Sequence, residues 1–426
     1  PQGSPYFAQH VLIDVPKEKQ PKVLLQQSAL TVRYLPQLFT DDTYCAITIY
    51  LDTNVNSLGE DFNYLNPLFV RRLKVKLETV LNAAEQAGID VGIETTRHGL
   101  KLAISGRGGN WTKLIADLLY LIPQAKLNIK QVKESRQSHI RTLQQQGKTR
   151  IRKQTQKLLD SRLGLRVSTN DSLAYFNSFD ENRYQRFSQN YLNSAHLSAF
   201  YYGHLAVQDY EEMNKSLRTL STRITQPISP AIERWGGSKI QPMQTQNVLL
   251  VADDSAVRLV LMPIESSMFS AASIELLGAM SKAPFFHQLR TQEQLGYSVS
   301  TSAKVRYGQP MLSYYVQSPV ATSEQLLTRI ERFNQWYLTY LTHMPIDQFE
   351  QVKQHLVMAL QQPKVNSASA EAQMRYNFRY GRSIDYEQQL QKMIEAMPKA
   401  ELLRFASKLL NQPLYGVLVD PIAEEH

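Results

Sequence analysis

Two patterns of hydrophobic and polar residues recur along this chain. The run YCAITIYLDT is rich in β-branched and aromatic residues, and KLAISG and MLSYYVQS alternate apolar with polar residues, which predicts strands. Residues 64–87 repeat apolar side chains at helical intervals and stop before Gly88, which predicts a helix. Turn-forming residues near 97–99 and around Gly308 predict a β-hairpin at each place.

The same order of elements occurs twice. EQAGIDV at residues 85–91 and EQLGYSV at residues 293–299 match with an offset of 208. After each of them come a hairpin, two helices and a closing strand, which is AFYYGHL in the first copy and PLYGVLV in the second. Five matches in one order predict the duplication of an αβ unit of about 210 residues.

The expected fold class is α+β, with two homologous domains of mostly antiparallel sheet packed against helices. The alternating strands predict sheets with one face under helices and one more open face. Three prolines and a Gly-Gly pair between the copies indicate a linker. We therefore predict a first αβ repeat at residues 1–225, a linker at 226–246 and a second repeat at 247–426.

Composition indicates a globular protein, with 43% hydrophobic and 20% charged residues. No apolar run approaches the roughly 20 residues that cross a bilayer. The first residues lack the pattern of a signal peptide, so we expect the interior of a longer polypeptide or the start of a processed one. The single cysteine, Cys45, excludes an internal disulfide and a cysteine-based metal site.

The net charge of +9 comes from one segment, because residues 126–166 contain twelve Lys or Arg and two acidic residues. The rest of the chain is close to neutral. Three interpretations stay open, namely a solvated helix face, a basic wall facing an anionic or peptide ligand, and a nucleic-acid surface. The segment has few aromatic residues and no RNP-like motif, so we expect no nucleic-acid partner.

Motifs for complete catalytic sites are missing from the sequence. It contains neither H-x-x-E-H nor H-E-x-x-H, which place zinc ligands on one helix face. It also contains no G-x-S-x-G nucleophile motif and no phosphate-binding P-loop. We therefore predict neither a complete catalytic centre nor a metal site in this chain.

Two hydrogen-bond donors, Arg290 and Tyr297, remain as candidates. They flank Gly296, which we interpret as the glycine that ends a helix before a hairpin. Such donors can hold a peptide carbonyl and stabilise the oxyanion that forms on attack, or they can simply fix the turn. The matching residues of the first copy are Asn82 and Ile89, so the fold itself does not require Arg and Tyr there.

The run PFFHQLRTQEQLGYSV, followed by YYVQS, resembles the pitrilysin/insulin-degrading-enzyme family of zinc metalloendopeptidases, the M16 or inverzincin group. Its L-R-T-x-E-Q-L-G-Y core is typical of the fourth domain of that family. The resemblance implies αβ-roll domains, four to an enzyme, whose two halves close around a peptide. In that family zinc is bound in the first domain through H-x-x-E-H and a distal glutamate. This sequence lacks that motif, so the chain is similar to domains 3 and 4 only.

The resemblance implies that Arg290 and Tyr297 bind substrate and stabilise the transition state of peptide hydrolysis. It implies no cofactor on this chain, with zinc in a missing N-terminal half that belongs to the same polypeptide or to a separate subunit. Alone, the chain is expected to be inactive. The alternative is a non-catalytic M16-like subunit that binds peptides or scaffolds a partner. Resemblance to bacterial pitrilysins implies the periplasm, and resemblance to the insulin-degrading type implies the cytoplasm.

Overall fold

A computed structural model gives the fold and describes residues 4–7, 20–35, 37, 39, 42–124, 129–146, 150–203, 205–232, 244–248, 254–362 and 366–421. Most of the predicted linker, residues 233–243, lies outside them, as does the end of the strand-like run NVLLVA. Within the described residues, no helix combines the length and hydropathy needed to cross a membrane.

Strands and helices account for most of the described chain. The strands are β1 Lys22–Gln27, β2 Leu30–Leu35, β3 Cys45–Thr53, β4 Ile89–Thr96, β5 Gly99–Gly106, β6 Ser194–Gly203, β7 Gln226–Pro227, β8 Gln244–Val248, β9 Ser255–Leu261, β10 Ser298–Arg306, β11 Gln309–Ser318 and β12 Tyr415–Pro421. The α-helices are α1 Val55–Leu58, α2 Phe62–Gln86, α3 Trp111–Leu121, α4 Ile129–Gln146, α5 Ile151–Arg162, α6 Thr169–Asn177, α7 Glu181–Asn190, α8 Val207–Ser221, α9 Met268–Phe286, α10 Ser323–His343, α11 Ile346–Gln361, α12 Ser367–Arg379, α13 Tyr386–Ala396 and α14 Lys399–Leu410.

The described residues form two compact units. Unit 1 is drawn from residues 1–141, 171–232 and 364–381, and unit 2 from residues 142–170, 233–363 and 382–426. Each unit therefore contains a segment from the other half of the sequence. The boundaries predicted from the sequence repeat, with a single linker at 226–246, do not describe these units.

The sheet of unit 1 has the strand order β1-β2-β6-β3-β5-β4, with β7 also paired to β6. Strand β3 runs antiparallel to both β5 and β6, whereas β2 and β6 are parallel. All nine residues of β3 are buried, including Cys45. Strands β2 and β3 are consecutive in the chain but are not neighbours in the sheet, because the closing strand β6 lies between them.

The sheet of unit 2 repeats this arrangement, with the order β10-β11-β9-β12-β8. It corresponds strand for strand to β4-β5-β3-β6-β2 of unit 1. The single parallel pair, β12 with β8, stands where β6 pairs with β2. The α+β fold class and the duplication predicted from sequence are confirmed by this shared topology.

Helices cover one face of the unit 2 sheet with a large apolar core. Leu259 on β9 and Tyr314 and Val316 on β11 pack in it with side chains from α9, α10, α11, α13 and α14. Local signals start these helices: the Ser267 hydroxyl accepts the Ser270 N–H at the start of α9. Apolar residues at helical intervals then face the core, where burial of a Leu or Phe side chain stabilises by about 1.5–3 kcal/mol.

The opposite face of each sheet is covered by a helix from the other sequence repeat. In unit 2, α5 packs on β9 and β12, with Leu159 in a cluster that contains Val260. In unit 1, α12 packs on β2 and β6, where the Phe378 ring lies 6.1 Å from that of Phe200. The more open face expected from the sequence is therefore found only in part: α5 covers the middle of this face of the unit 2 sheet, and β10 is half-buried along most of its length.

The segment that joins α9 to β10 differs from the predicted glycine-ended helix. The helix continues as a π-helical turn over His287–Gln292, and Gln294 is the residue with positive φ, at 51°. Gly296 serves a different purpose, because a Cβ there would lie 2.2 Å from the carbonyl oxygen of Gln317 on β11. The glycine is needed for close approach of two backbones, not as a helix cap.

A buried ion pair should stabilise unit 1 strongly. Arg379 on α12 donates two hydrogen bonds of 2.6 Å to Asp52 on β3, and both residues are buried. We expect Arg379→Met to lower the free energy of unfolding by about 3–5 kcal/mol, because Asp52 then lacks its counter-ion. Urea titration measures this. The exposed pair Arg404–Glu401 is the control, and Glu401→Gln should cost less than about 1 kcal/mol. Similar losses in both variants would contradict the prediction.

The close approach at Gly296 gives a second prediction. Gly296→Ala should destabilise by about 1–3 kcal/mol, because the new methyl group overlaps the β11 backbone. Gly92 on β4 is the control, since the nearest atom to its added Cβ is 3.8 Å away and its φ is not positive. Gly92→Ala should be neutral or stabilise by up to about 1 kcal/mol. Thermal unfolding measures the stability of both variants. Equal melting temperatures for Gly296→Ala and Gly92→Ala would contradict the prediction.

Candidate functional site

Arg290 lies in the π-helical turn that follows α9. Its neighbour Leu289 is fully buried in the unit 2 core, so Arg290 points to the exposed side of the turn. Its guanidinium carbon lies 4.9 Å from the centroid of the Phe286 ring, an exposed cation–π contact. Among the described residues, no carboxylate pairs with Arg290. Its N–H groups are therefore available to a ligand.

An ion pair holds the chain between Arg290 and Tyr297. Glu293 closes the π-helical turn, with its N–H bonded to the Gln288 carbonyl at 3.0 Å. The carboxylate of Glu293 accepts two hydrogen bonds from the Arg329 guanidinium on α10, one of them 2.5 Å long. A bidentate pair of this kind fixes orientation as well as distance. The turn that carries Arg290 is thereby fixed to α10.

Tyr297 stands immediately before β10 and is 54% exposed. Its hydroxyl donates a hydrogen bond to Oδ2 of Asp254, the residue before β9. The Gln317 amide nitrogen, on β11, donates to the same Asp254 oxygen at 2.7 Å and also to the Tyr297 hydroxyl oxygen. The polar tip of Tyr297 is thus held by two side chains, whereas its ring is open to solvent.

A second row of contacts fixes Gln317. The Tyr315 hydroxyl donates to Oε1 of Gln317 at 2.9 Å, which sets the orientation of the amide. Guanidinium groups of Arg258 and Arg152 lie 4.4 and 5.0 Å from the centroid of the Tyr315 ring. Arg258 in turn donates to Thr155 on α5 at 3.2 Å. The site of Tyr297 is therefore connected to the helix that covers the second face of the sheet.

The contacts of Tyr297 keep its hydroxyl protonated. The hydrogen bond to Asp254 raises the pKa of Tyr297, burial and the Asp254 charge raise it further, and the Gln317 amide opposes them. Burial raises the pKa of Tyr315 to about 12, against the lowering effect of Arg258 and Arg152. Both phenols are therefore neutral hydrogen-bond donors at ordinary pH.

The first repeat shows what the fold requires at these positions. Ile89, which matches Tyr297, is the first residue of β4 and is only 1% exposed. Asn82, which matches Arg290, is an exposed residue of α2. A buried apolar residue in one copy is thus replaced by an exposed phenol in the other, which packing alone does not explain.

The acidic, histidine and cysteine side chains decide whether this chain could hold a metal. Across the described ranges, no three His, Cys, Asp or Glu side chains lie together as a metal site requires. The zinc ion implied by the resemblance does not fit the described residues of this chain. Its location in a separate half stays a prediction.

The sequence indicated Arg290 and Tyr297 but not their supporting residues. Sheet pairing brings these supporting residues together: Gln317 lies opposite Ala256 on β9, close to Asp254 in the chain, and opposite Ser298 on β10, next to Tyr297. The sequence held one signal, because Tyr315 and Gln317 occupy alternate positions of the predicted strand MLSYYVQS, which the structure shows to be buried throughout. A polar residue in such a strand needs partners.

One part of the basic segment, helix α5, packs on the sheet of unit 2. On α5, Arg152 faces the Tyr315 ring, and Asp160 forms an ion pair with Arg306 on β10. Burial and the nearby charges of Arg166 and Lys153 lower the pKa of Lys157. Part of this charge is therefore used in packing α5 on the sheet. The expectation of no nucleic-acid partner stays a prediction.

The part of the chain that contains the candidate site is similar in sequence to known proteins. Residues 276–375, which include Arg290 and Tyr297, match the family model of domain 4 in the C-terminal lobe of PQQ synthase PqqF-like proteins. Coenzyme PQQ synthesis protein F of Pseudomonas protegens is 31% identical over 166 residues, which cover 39% of this chain and 20% of that protein.

Solved structures extend the similarity to the whole fold. Pitrilysin superposes with a TM-score of 0.81 and 17% identity, over 98% of this chain and 45% of that one. A peptidase M16 inactive domain from Pseudomonas fluorescens superposes with a TM-score of 0.69 and 13% identity, over 94% and 97% of the two chains. The chain thus spans less than half the length of pitrilysin and of its curated relatives. In sequence motif and in fold, the chain resembles the C-terminal half, domains 3 and 4, of the pitrilysin/insulin-degrading-enzyme group of M16 metallopeptidases.

Proposed function

We propose that this chain is the C-terminal, zinc-free half of a pitrilysin-like metalloendopeptidase that hydrolyses peptides in an enclosed chamber. In this role Arg290 and Tyr297 bind the peptide near the scissile bond and stabilise the transition state. The observation that carries the proposal is the exposed phenol of Tyr297, held by hydrogen bonds where the first repeat has the buried Ile89.

The chemistry of the two side chains fits this role. Attack on a peptide carbonyl places negative charge on its oxygen, and donors fixed in advance lower the barrier without reorganising at the moment of reaction. Arg290 supplies a permanently charged guanidinium with several N–H groups. Tyr297 supplies a neutral hydroxyl whose raised pKa retains the proton. Neither is a nucleophile or a base, so the chemical step needs groups from elsewhere.

A partner therefore completes the proposal. We propose an N-terminal catalytic half that holds the zinc, either in the same polypeptide or as a separate subunit. The chain length relative to pitrilysin is consistent with a half-enzyme. By resemblance to bacterial pitrilysins the periplasm is the proposed location, with the cytoplasm as the alternative.

The similarity to a peptidase M16 inactive domain of nearly equal extent favours a second candidate. In that case the chain is a non-catalytic subunit that binds peptides or scaffolds an active partner. The two candidates differ in the encoding gene. An open reading frame that continues upstream into a domain with H-x-x-E-H favours the half-enzyme, and a separate frame favours the subunit.

Kinetics of the complete enzyme test the residue roles. Arg290→Ala and Tyr297→Phe should each lower kcat by about 10²–10³-fold with little change in KM, because the donors act on charge that develops in the transition state. Arg382→Ala is the matched control, since Arg382 also stacks on an aromatic ring, Tyr386, at 4.0 Å in the same unit. If both site variants keep the kinetics of the unaltered enzyme and unfold normally, Arg290 and Tyr297 serve only to fix the turn.

The isolated chain provides a separate test of the half-enzyme. Purified alone, it should retain no zinc after dialysis and should not cleave fluorogenic peptides, because the described residues include no metal-binding set. Metal analysis and a peptidase assay with and without a chelator measure this. Chelator-sensitive cleavage by the isolated chain would overturn the proposal.

A further inference from the structure

The hydroxyl proton of Tyr297 is already used within the protein. It is donated to Asp254, and the hydroxyl oxygen accepts from Gln317. A phenol has a single proton to donate. In this arrangement Tyr297 cannot donate to a peptide carbonyl or to an oxyanion unless it first leaves Asp254.

Asp254 is well placed to compete for that proton. It is 9% exposed, and both of its hydrogen bonds from side chains reach the same oxygen, Oδ2. Within the described part of the chain, no Lys, Arg or His forms an ion pair with it. Its negative charge is therefore stabilised mainly by neutral donors, one of which is Tyr297.

Gln317 is fixed so that its N–H₂ group faces this pair. A flipped amide would lose the hydrogen bond from the Tyr315 hydroxyl to Oε1 and would place an oxygen against the Asp254 carboxylate. Tyr315 is itself held between Arg258 and Arg152. The acceptor and the amide beside it are thus built into the sheet, whereas more than half of the Tyr297 surface is exposed to solvent.

We propose that Asp254 and Gln317 form a latch that holds the Tyr297 hydroxyl away from substrate until a bound peptide replaces Asp254 as its acceptor. Asp254 is then a positioning residue that acts through Tyr297 and does not touch the peptide. The inference rests on the proposed role of Tyr297 in peptide hydrolysis. It adds a state of the site in which the donor is withheld and a residue that controls it.

Titration of Tyr297 in the full chain tests whether the latch exists. With ¹³C ring-labelled tyrosine and Tyr297→Phe for assignment, NMR gives the pKa of this residue. Asp254→Asn should lower that pKa towards the ordinary value near 10, because the carboxylate no longer holds the proton. Gln317→Met should shift it in the opposite direction, because the amide donor that favours the phenolate is lost. Asp160→Asn, which removes a carboxylate paired to Arg306, is the control and should have no effect.

Asp254→Asn and Gln317→Met are expected to shift the pKa of Tyr297 in opposite directions. If one of the variants does not fold, the other still tests the latch. An unchanged Tyr297 pKa in both Asp254→Asn and Gln317→Met would overturn the latch. A shift of equal size in Asp160→Asn would also overturn it, since the effect would then be a general change of charge.

Kinetics of the complete enzyme test what the latch does. Asp254→Asn should raise kcat/KM up to about tenfold, equivalent to 1.4 kcal/mol, because the hydroxyl is released more easily. The same substitution in a Tyr297→Phe background should give no gain. A loss or no change in kcat/KM, or a gain that persists without the Tyr297 hydroxyl, overturns the latch. If Tyr297→Phe alone leaves kinetics unchanged while Asp254→Asn lowers the Tyr297 pKa, the hydrogen bond stands and the proposed function fails.

Discussion

Each sheet in this protein has two faces, and its central strands, β3 and β6 in unit 1 and β9 and β11 in unit 2, are buried on both. Grouped helices cover one face in the usual way, as α9 and α10 do in unit 2. The other face mixes apolar side chains with polar and aromatic ones, and it is covered by a helix from the other sequence repeat. Because that face contains buried charges such as Asp52 and Arg258, the helix brings partners for them as well as apolar area.

The candidate site depends on this arrangement. Tyr315 and Gln317 lie on the second face of the unit 2 sheet, and Arg258 connects them to Thr155 of α5. A connected row of side chains therefore runs from α5 to the exposed phenol of Tyr297. This support fixes Asp254 and Gln317, so the exposed phenol is the part of the site that must move before its hydroxyl can reach a ligand.

Much of the fold followed from local pattern. The period of apolar residues gave α2, and turn residues gave both hairpins, because these signals depend on neighbours in sequence. The position of β6 between β2 and β3 did not follow, since alternation does not specify which strands pair. The packing of α5 in unit 2 and of α12 in unit 1 could not be predicted either, because the sequence of an amphipathic helix does not specify which sheet it will cover.

The candidate site, like the fold, could be predicted from the sequence only in part. Arg290 and Tyr297 were singled out as donors that flank Gly296, and aligning the two repeats indicated that the fold does not require them; their roles stay a prediction. Asp254 was missed because its contact with Tyr297 spans 43 residues and is created by the sheet. Gly296 was found but misinterpreted, since a glycine that permits close backbone approach and one that caps a helix look alike in sequence.

The exchange of helices also sets the order in which the protein can be completed during synthesis. Residues 364–381 of unit 1 emerge only after residues 233–363, which belong to unit 2. At about 5–20 residues per second, the face that carries Asp52 and Phe200 waits roughly 7–30 s for its covering helix. In unit 2 the order is reversed, because α5 is synthesised before the strands that it covers. The first unit to begin therefore cannot finish until most of the second has been made.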